Sequence, residues 1–445
     1  MRVLFVDPFG DMLDLALRAQ EAKHDVVYYV NPNERHYHLV GRGLVKRTGD
    51  FKPWLTWADM TVLADNCKNL RVLDKFRAEH PEKVVFGANA IGAAWETDRL
   101  LGMKVLERHG IKCPPTQLCT SYEQAVAYVK KRDDVRLVSK PCGDADKSLS
   151  YCSKGPEDML FMLGKWKKEG KIKDKFILQD FIPGTEFAVG GYVGREGFAG
   201  GWEENFEHKK LMNDEKGVNT GEQGTALKYM KMEDSLLARE VLQPLEGALH
   251  RAGHTGYIDV SVMIGKEGEW KGVPAPMEVT ARPGWPLDQI RLALEDDDPV
   301  TWMLDAIDGR DTFKPSTKVA VGVVVSMADY PYDHLTCREN SGYPLYGLTS
   351  DNVNDVHLAQ CMLGKAPQEQ GGKIVDDECI VTAGAYVYVA TGTGTTVSKA
   401  AKRAYDVIDE IELPNSPGYR TDIGRRLEKQ IPALQKMGYA TDWEY

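Results

Sequence analysis

Two carboxylates set in neighbouring apolar runs are the residues of this chain best suited to chemistry. Asp259 lies in Gly256-Tyr-Ile-Asp-Val-Ser-Val-Met-Ile264 and Glu278 in Pro276-Met-Glu-Val-Thr-Ala-Arg-Pro-Gly284, with the polar Gly265-Lys-Glu-Gly268 following the first run. Such runs, the first rich in β-branched residues, read as paired strands. The two acids could then face one pocket and hold Mg2+, a hard cation that takes oxygen ligands and fills the rest of its shell with water and substrate phosphates. The other reading of each acid is a solvated strand residue.

The rest of a nucleotide site can be assembled upstream. Val135-Arg-Leu-Val-Ser-Lys140 is a strand ending in a lysine, and the loop Pro141-Cys-Gly-Asp-Ala-Asp-Lys-Ser-Leu-Ser150 carries Lys147. That arrangement suits a lid over a triphosphate, with loop amides and hydroxyls on the phosphate oxygens and lysines where charge develops. Otherwise it is a surface loop with solvated lysines. Gln179-Asp-Phe-Ile-Pro-Gly-Thr-Glu186 runs from a strand into a turn. Its edge offers backbone groups to a purine while Glu186 could take ribose hydroxyls; the alternative is a hairpin approach with an exposed acid. Glu207-His-Lys-Lys210 and Asn213 through Gly224 are too polar and Gly-rich for a helix or a core strand. A loop of that length in a compact domain tends to be functional, here for a substrate phosphate or carboxylate. Thr391, Thr393 and Thr395, interleaved with glycines, read as a loop, either a phosphate pocket or a turn.

The elements that must position these residues follow from periodicity. At 445 residues the chain is long enough for about three domains. Residues 2–6, 25–30, 60–64 and 84–86 alternate as strands with a helix over 11–23, the pattern of a parallel α/β layer. The turn Asp7-Pro-Phe-Gly-Asp11 has one glycine where a dinucleotide fold needs several, which excludes an NAD site. Trp95 through Gly110 reads as one amphipathic helix, with Arg99 at the edge of its apolar face. Helices over 121–131 and 156–168 and strands over 135–140 and 175–179 form a smaller unit, and Val319–Ser326, 385–390 and a helix over 397–411 follow. With 42% hydrophobic and 27% charged residues the composition is that of a soluble globular protein. Net charge −10 argues against a nucleic-acid face, and no apolar run of membrane length or signal peptide is present, so the expected location is the cytoplasm. The eight cysteines have no metal or disulfide spacing and read as reduced thiols.

Taken in order, these stretches resemble the phosphoribosylamine–glycine ligases of the ATP-grasp superfamily. The resemblance spans about residues 85 to 426: Arg108-His-Gly-Ile111, Val138-Ser-Lys140 with its loop, Phe181-Ile-Pro-Gly-Thr-Glu186, His208-Lys-Lys210 with Asn219-Thr-Gly221, Glu278-Val-Thr-Ala-Arg282, Tyr330-Pro-Tyr-Asp333, Ala401-Lys-Arg-Ala-Tyr405 and Tyr419-Arg-Thr-Asp-Ile-Gly424. It implies an ATP-grasp fold of α/β and α+β parts: a Rossmann-like lobe over 1–98, a clamp over 99–315 with a mobile lid at about 118–184, and a C-terminal lobe over 316–445. It implies ATP and Mg2+, or Mn2+, as cofactors. ATP would be held by Arg99, Lys140, Lys147, Gln179, Asp180, Phe181, Ile182 and Glu186, and the metal by Glu278 and Thr280. Tyr257-Ile-Asp259 looks like the metal-binding strand of D-alanine–D-alanine ligases, which adds Asp259. Substrates would meet His208, Lys209, Lys210, Asn219, Thr220, Gly221 and Arg282, with Arg282 and Lys140 catalytic.

The expected activity is ADP-forming ligation of glycine or another small amino acid, through an acyl phosphate, to an amine. The partners are small molecules, with no nucleic acid or membrane, and the protein is a monomer or homodimer. Departures bear on the acceptor. Thr280 stands for an asparagine, Arg282-Pro-Gly-Trp-Pro-Leu287 and Asn219-Thr-Gly-Glu-Gln-Gly224 are altered, and a positive N-terminal turn has become Pro8-Phe-Gly-Asp-Met12, acidic and bulky. The acceptor is therefore phosphoribosylamine or a different amine. The alternatives are an enzyme like the biotin-dependent carboxylases and a nucleotide-binding module without chemistry.

Overall fold

The computed structural model describes residues 1–445 apart from 66–67, 133, 143–148, 174 and 416. Lys147 and Cys67 therefore lie outside the described residues. At the N-terminus, short β-branched strands form a parallel sheet: β1 (Arg2–Val6), β2 (Asp25–Tyr29), β3 (Arg47–Thr48), β4 (Met60–Leu63) and β5 (Val84–Phe86), in the order β3-β2-β1-β4-β5. Alternate residues of β1 serve opposite faces, Val3 and Phe5 packing with Leu13 and Ala16, Leu4 and Val6 with Leu73 and Phe76. The order in which the chain lays down these parallel strands switches sides between β1 and β4, and open α/β sheets take ligands at the C-terminal ends of strands at such a point.

The segment expected as one helix over Trp95–Gly110 is two, Ala90–Thr97 and Arg99–Arg108. Asp98 leaves helical dihedrals between them, and its carboxylate accepts the Leu101 N–H at 3.0 Å.

A four-stranded antiparallel sheet follows: β6 (Thr116–Cys119), β7 (Leu137–Pro141), β8 (Tyr151–Cys152) and β9 (Phe176–Asp180), in the order β6-β9-β7-β8. With helices Tyr122–Lys131 and Pro156–Lys168 it closes a core of its own around Leu137, Trp166, Phe176 and Leu178. A unit with a private core can move as one body.

The remaining strands are β10 (Gly184–Val193), β11 (Phe198–Glu207), the small hairpin β12 (Lys210–Met212) and β13 (Lys216–Asn219), β14 (Gly224–Met230), β15 (Gly256–Gly265) and β16 (Pro274–Thr280). Past residue 316 come β17 (Val319–Ser326), β18 (Ser341–Pro344), β19 (Val356–Leu358), β20 (Cys361–Gln370), β21 (Lys373–Ala383) and β22 (Tyr386–Gly394). Eight of them form one sheet, β16-β15-β10-β11-β14-β17-β22-β19, so strands beyond 316 continue the sheet begun at 184. Thr391 and Thr393 lie inside β22, not in a loop. Gly392 explains why: a Cβ there would meet the Ala400 carbonyl at 2.4 Å, so the glycine lets helix Val397–Glu410 lie on the strand, and the buried Thr391 hydroxyl bonds His357 Nε2 at 2.9 Å. The phosphate-pocket reading of that segment is withdrawn.

Against the same face of the sheet as Asp259, helix Leu287–Leu292 is held by a buried charge cluster. Fully buried Arg291 pairs with Asp288 at 2.6 Å and Glu203 at 3.5 Å, and its guanidinium lies 4.2 Å from the Tyr257 ring. Removing one partner of such a cluster leaves buried charge uncompensated, at a cost of about 3–5 kcal/mol. Arg291→Leu is expected to lower the urea midpoint accordingly, and a midpoint equal to that of the parent would show that the cluster carries no net stabilisation.

Candidate active site

The site is built on one face of the large sheet. Asp259 is opposite Thr280 and Ser261 opposite Glu278 in the β15–β16 register, so all four side chains share a face. Between Ser261 and Val262 the register slips, leaving Met277 as the extra residue of a bulge. The Met277 carbonyl, freed from the ladder, accepts the Lys140 ammonium at 2.7 Å, which joins the end of β7 in the lid sheet to the floor. Lys140 also reaches Gln179 Oε1 at 3.1 Å, and Gln179 is itself held by Thr116 Oγ1 at 3.0 Å.

Around this contact lies a knot of opposed charges. Lys209 Nζ is 2.7 Å from Glu186, 2.9 Å from Glu207 and 3.5 Å from Glu278, three carboxylates from β10, β11 and β16. Arg99 closes the other side, donating to Glu278 Oε2 at 2.6 Å and to the Pro141 carbonyl at 2.9 Å. Burial pushes the Glu278 carboxyl up, but Lys209, Arg99 and Lys140 outweigh it and hold it well below the ordinary range, so Glu278 is ionised. Burial brings the Lys140 ammonium down to about 8 despite Glu278. Asp259 differs. It sits deeper, hydrogen-bonded to Asn205 and Tyr257, each at 3.3 Å, and burial with Glu207 and Glu203 pushes its carboxyl well up.

Asp180 is paired with Arg132, and the Phe181 ring lies under the Arg136 guanidinium at 3.8 Å while its N–H is taken by the Arg136 carbonyl. Ile182 packs with Trp270 and Ala275. His208 is fully buried; its Nε2 accepts the Gly424 N–H at 3.2 Å, and burial keeps it neutral. The Thr220 hydroxyl donates to the Lys209 carbonyl at 3.0 Å, Lys210 to the Gly217 carbonyl at 3.4 Å, and Asn219 and Gly221 are exposed. Arg282 pairs with Glu96 at 3.4 Å and donates to the Pro283 carbonyl. The structure thus gathers Arg99, Lys140, Glu186, Lys209 and Glu278 in one contact network; His208 and Asp180 are turned to other partners.

Two sets of residues escaped the sequence reading. Glu207 and Glu222 join the acidic face, Glu222 buried with an oxygen that has no hydrogen-bond partner. Arg420, in the motif Tyr419-Arg-Thr-Asp-Ile-Gly424, is buried and bonds Asp422 and Glu215 at 2.8 Å and the Lys210 carbonyl at 3.0 Å. It pins the β12–β13 hairpin and so sets where Lys209 stands. The sequence signal for the two acids was an acid inside a polar run, and for Arg420 its place in a motif of the resemblance to which no role was given.

Glu278, Thr280 and deeper Asp259 offer hard oxygens on one face, which fits a Mg2+ ion held largely by phosphate oxygens. Among the described residues no three His, Cys, Asp or Glu side chains are spaced to hold a metal unaided.

A four-stranded sheet with its own core, joined by lysine and arginine contacts to the acidic face of a larger antiparallel sheet, is the ATP-grasp fold. Within that fold the chain is a divergent relative of the phosphoribosylamine–glycine ligases. It is 26% identical over 388 residues to that enzyme of Escherichia coli O157:H7 and 27% over 374 residues to that of Salmonella typhimurium, covering 84% and 81% of each chain. No family model matches. The solved phosphoribosylamine–glycine ligase of Thermotoga maritima superposes with TM-score 0.72 at 18% identity, over 95% of this chain and 100% of that one. The biotin carboxylase domain of Hydrogenobacter thermophilus 2-oxoglutarate carboxylase, solved with MgADP and bicarbonate, gives 0.60 at 11% identity, over 99% and 94%.

The Lys140 shift makes a sign-definite prediction. A phosphate received by Lys140 would bind its protonated form, so nucleotide affinity resting on that contact would be full below the free-site value of about 8 and fall as pH rises through it. Calorimetric titration with ADP and Mg2+ from roughly pH 7 to pH 9.5 should show the Kd rising by up to about tenfold per unit at the alkaline end, and Lys140→Arg should flatten the rise. A flat parent profile would separate Lys140 from the phosphates.

Proposed function

We propose that the protein is an ATP-dependent, ADP-forming carboxylate–amine ligase that activates glycine or another small amino acid as an acyl phosphate and joins it to an amine. The observation that carries this is the charge knot where Lys140 of the lid meets Glu278 of the floor, flanked by Arg99 and Lys209. ATP lies between lid and floor, its adenine against the 179–182 edge, its ribose at Glu186, and its phosphates toward Lys140 and Arg99. Glu278 with Thr280 and Asp259 would hold Mg2+, which supplies charge neutralisation for the phosphates.

In the first step a carboxylate oxygen of the amino acid bonds the γ-phosphorus, the β–γ bridge breaks and ADP leaves. Lys140 and Arg282 offset the negative charge that gathers. In the second, the amine nitrogen bonds the acyl carbon, the bond to phosphate breaks, phosphate departs with that electron pair and the nitrogen loses a proton. The lid excludes water, to which an acyl phosphate would otherwise be lost. His208, Lys209, Lys210, Asn219, Thr220 and Gly221 border the substrates, His208 through the backbone it holds. Among the described residues no helix is long and apolar enough to cross a membrane, and the reaction is assigned to the cytoplasm.

The test is ADP release with ATP, Mg2+, each amino acid in turn and phosphoribosylamine, with labelled bicarbonate as a separate arm. Stimulation by an amino acid is expected; stimulation by bicarbonate alone would make the enzyme a carboxylase. Glu278→Gln should lower turnover at least about a hundredfold, the scale of losing one charged group in the reacting site, with the fold retained by circular dichroism and melting lowered because Arg99 and Lys209 lose a partner. Undiminished turnover would remove Glu278 from the reaction.

A further inference from the structure

A string of ring contacts runs from the loop of Arg282 to the surface of the C-terminal lobe. The ring centroids of Trp285 and Tyr386 are 3.7 Å apart, and those of Tyr386 and Tyr330 are 5.4 Å apart, edge to face. Two residues on, Tyr332 is 54% exposed, and the ring of His334, with 79% of its side chain exposed, lies parallel to it within 7° at 6.0 Å. Asp329 fixes that pair: its carboxylate takes the His334 N–H at 2.7 Å and the Leu335 N–H at 3.3 Å and stands 3.0 Å from His334 Nδ1.

The N-terminal lobe meets the outer end of this string. Arg35 donates to the Asp333 carbonyl, between the two exposed rings in sequence, at 3.3 Å and to His36 at 2.8 Å, and its own carbonyl accepts the Cys337 N–H at 3.0 Å. A second string leads back from there, His36 to Tyr37 at 6.0 Å and Tyr37 to Phe9 at 5.7 Å, into the turn after β1. The inner ends do not close on one another. A small cavity lies between that turn and the Arg282 loop, lined by Met12, Leu63, Gly87, Pro283 and Asp288.

Core packing alone does not account for these rings. Buried Trp and Tyr side chains ordinarily pair their N–H and O–H groups, yet Trp285 Nε1 and Tyr386 Oη are buried without a hydrogen-bond partner, on a tyrosine only 2% exposed. At the outer end two parallel rings stand in solvent with a guanidinium beside them, the kind of surface on which flat heteroaromatic rings stack. Phe9 and Trp285 also fall in two stretches where the resemblance to the ligases breaks, Pro8-Phe-Gly-Asp-Met12 and Arg282-Pro-Gly-Trp-Pro-Leu287. We infer that the acceptor amine is borne by a molecule with a flat heteroaromatic ring, which lies on Tyr332 and His334 with Arg35 at its edge while the amine reaches inward past Tyr330 toward Arg282. The Trp285 N–H and the Tyr386 hydroxyl bond its polar atoms on the way. Phosphoribosylamine, a sugar phosphate, has no such ring.

This inference rests on the ligase reading, and its test keeps the two apart. Hydroxylamine captures an acyl phosphate whatever the natural acceptor, so hydroxamate formed with ATP, Mg2+ and each amino acid in turn tests the ligase alone. Absence of hydroxamate with every amino acid overturns the ligase and the acceptor role of the rings together. The ring is tested by calorimetric titration, the nucleotide cleft saturated with ADP and Mg2+, of 5-aminoimidazole-4-carboxamide ribonucleotide against ribose 5-phosphate, which share sugar and phosphate and differ by the ring and its amine. The ring-bearing probe is expected to bind at least about tenfold more tightly, about 1.4 kcal/mol. Tyr332→Ala and His334→Ala, both at exposed positions, should remove most of that difference and leave ribose 5-phosphate binding as in the parent. Equal binding of the two probes, or binding of neither, overturns the inference and, with hydroxamate formed, leaves the ligase standing. A preference unchanged in both variants overturns the assignment of the two rings. Where hydroxamate forms, the ring-bearing probe should also lower its yield, and binding without that effect places the rings away from the acceptor and overturns the inference.

Discussion

A sheet face crowded with carboxylates can be closed over only if cations are built in among them, and in this protein that condition falls chiefly on one ammonium group. Lys209 is shared by Glu186, Glu207 and Glu278, which come from three different strands. Burying an ion is costly unless it is paired and hydrogen-bonded. Each of the three strands therefore depends on where Lys209 is put. Its position is set by the turn after β11, by the Thr220 contact to its carbonyl, and by buried Arg420 holding the hairpin from the far end of the chain. The C-terminal motif thus acts on the acidic face without touching it.

A second layer of the same logic lies further along the same face. Arg291 satisfies Asp288 and Glu203 there much as Lys209 satisfies Glu207, four residues on from Glu203 in β11, and its two other acids. Gly190 matters to this layer, because a Cβ there would come within 2.1 Å of the Tyr257 hydroxyl, which bonds Glu203. The two clusters are joined through Tyr257, which bonds both Glu203 and Asp259, and Asp259 is drawn toward Asn205 while Glu278 is held by Arg99.

Much of this was legible in the sequence because the signals were local. The alternation at the N-terminus, the two runs around Asp259 and Glu278, and the helix stripe beginning at Val397 each read correctly as elements, their periodicity being set by the faces they bury. The misreadings share a cause. Asp98 interrupts a helix whose apolar spacing continues through it, and a capping carboxylate does not disturb that spacing. The threonines of β22 look like a loop until the helix packed on Gly392 is known. The convergence on Lys209 could not be seen at all, since it joins residues 186, 207 and 278, and only strand order brings them together.

The bulge at Met277 also has a mechanical role. Its freed carbonyl holds the lysine that ends β7, so the four-stranded sheet is strapped to the large one by an oxygen that an unbroken ladder would have used up. Straightening the bulge would leave the two sheets in contact but unfastened at that point.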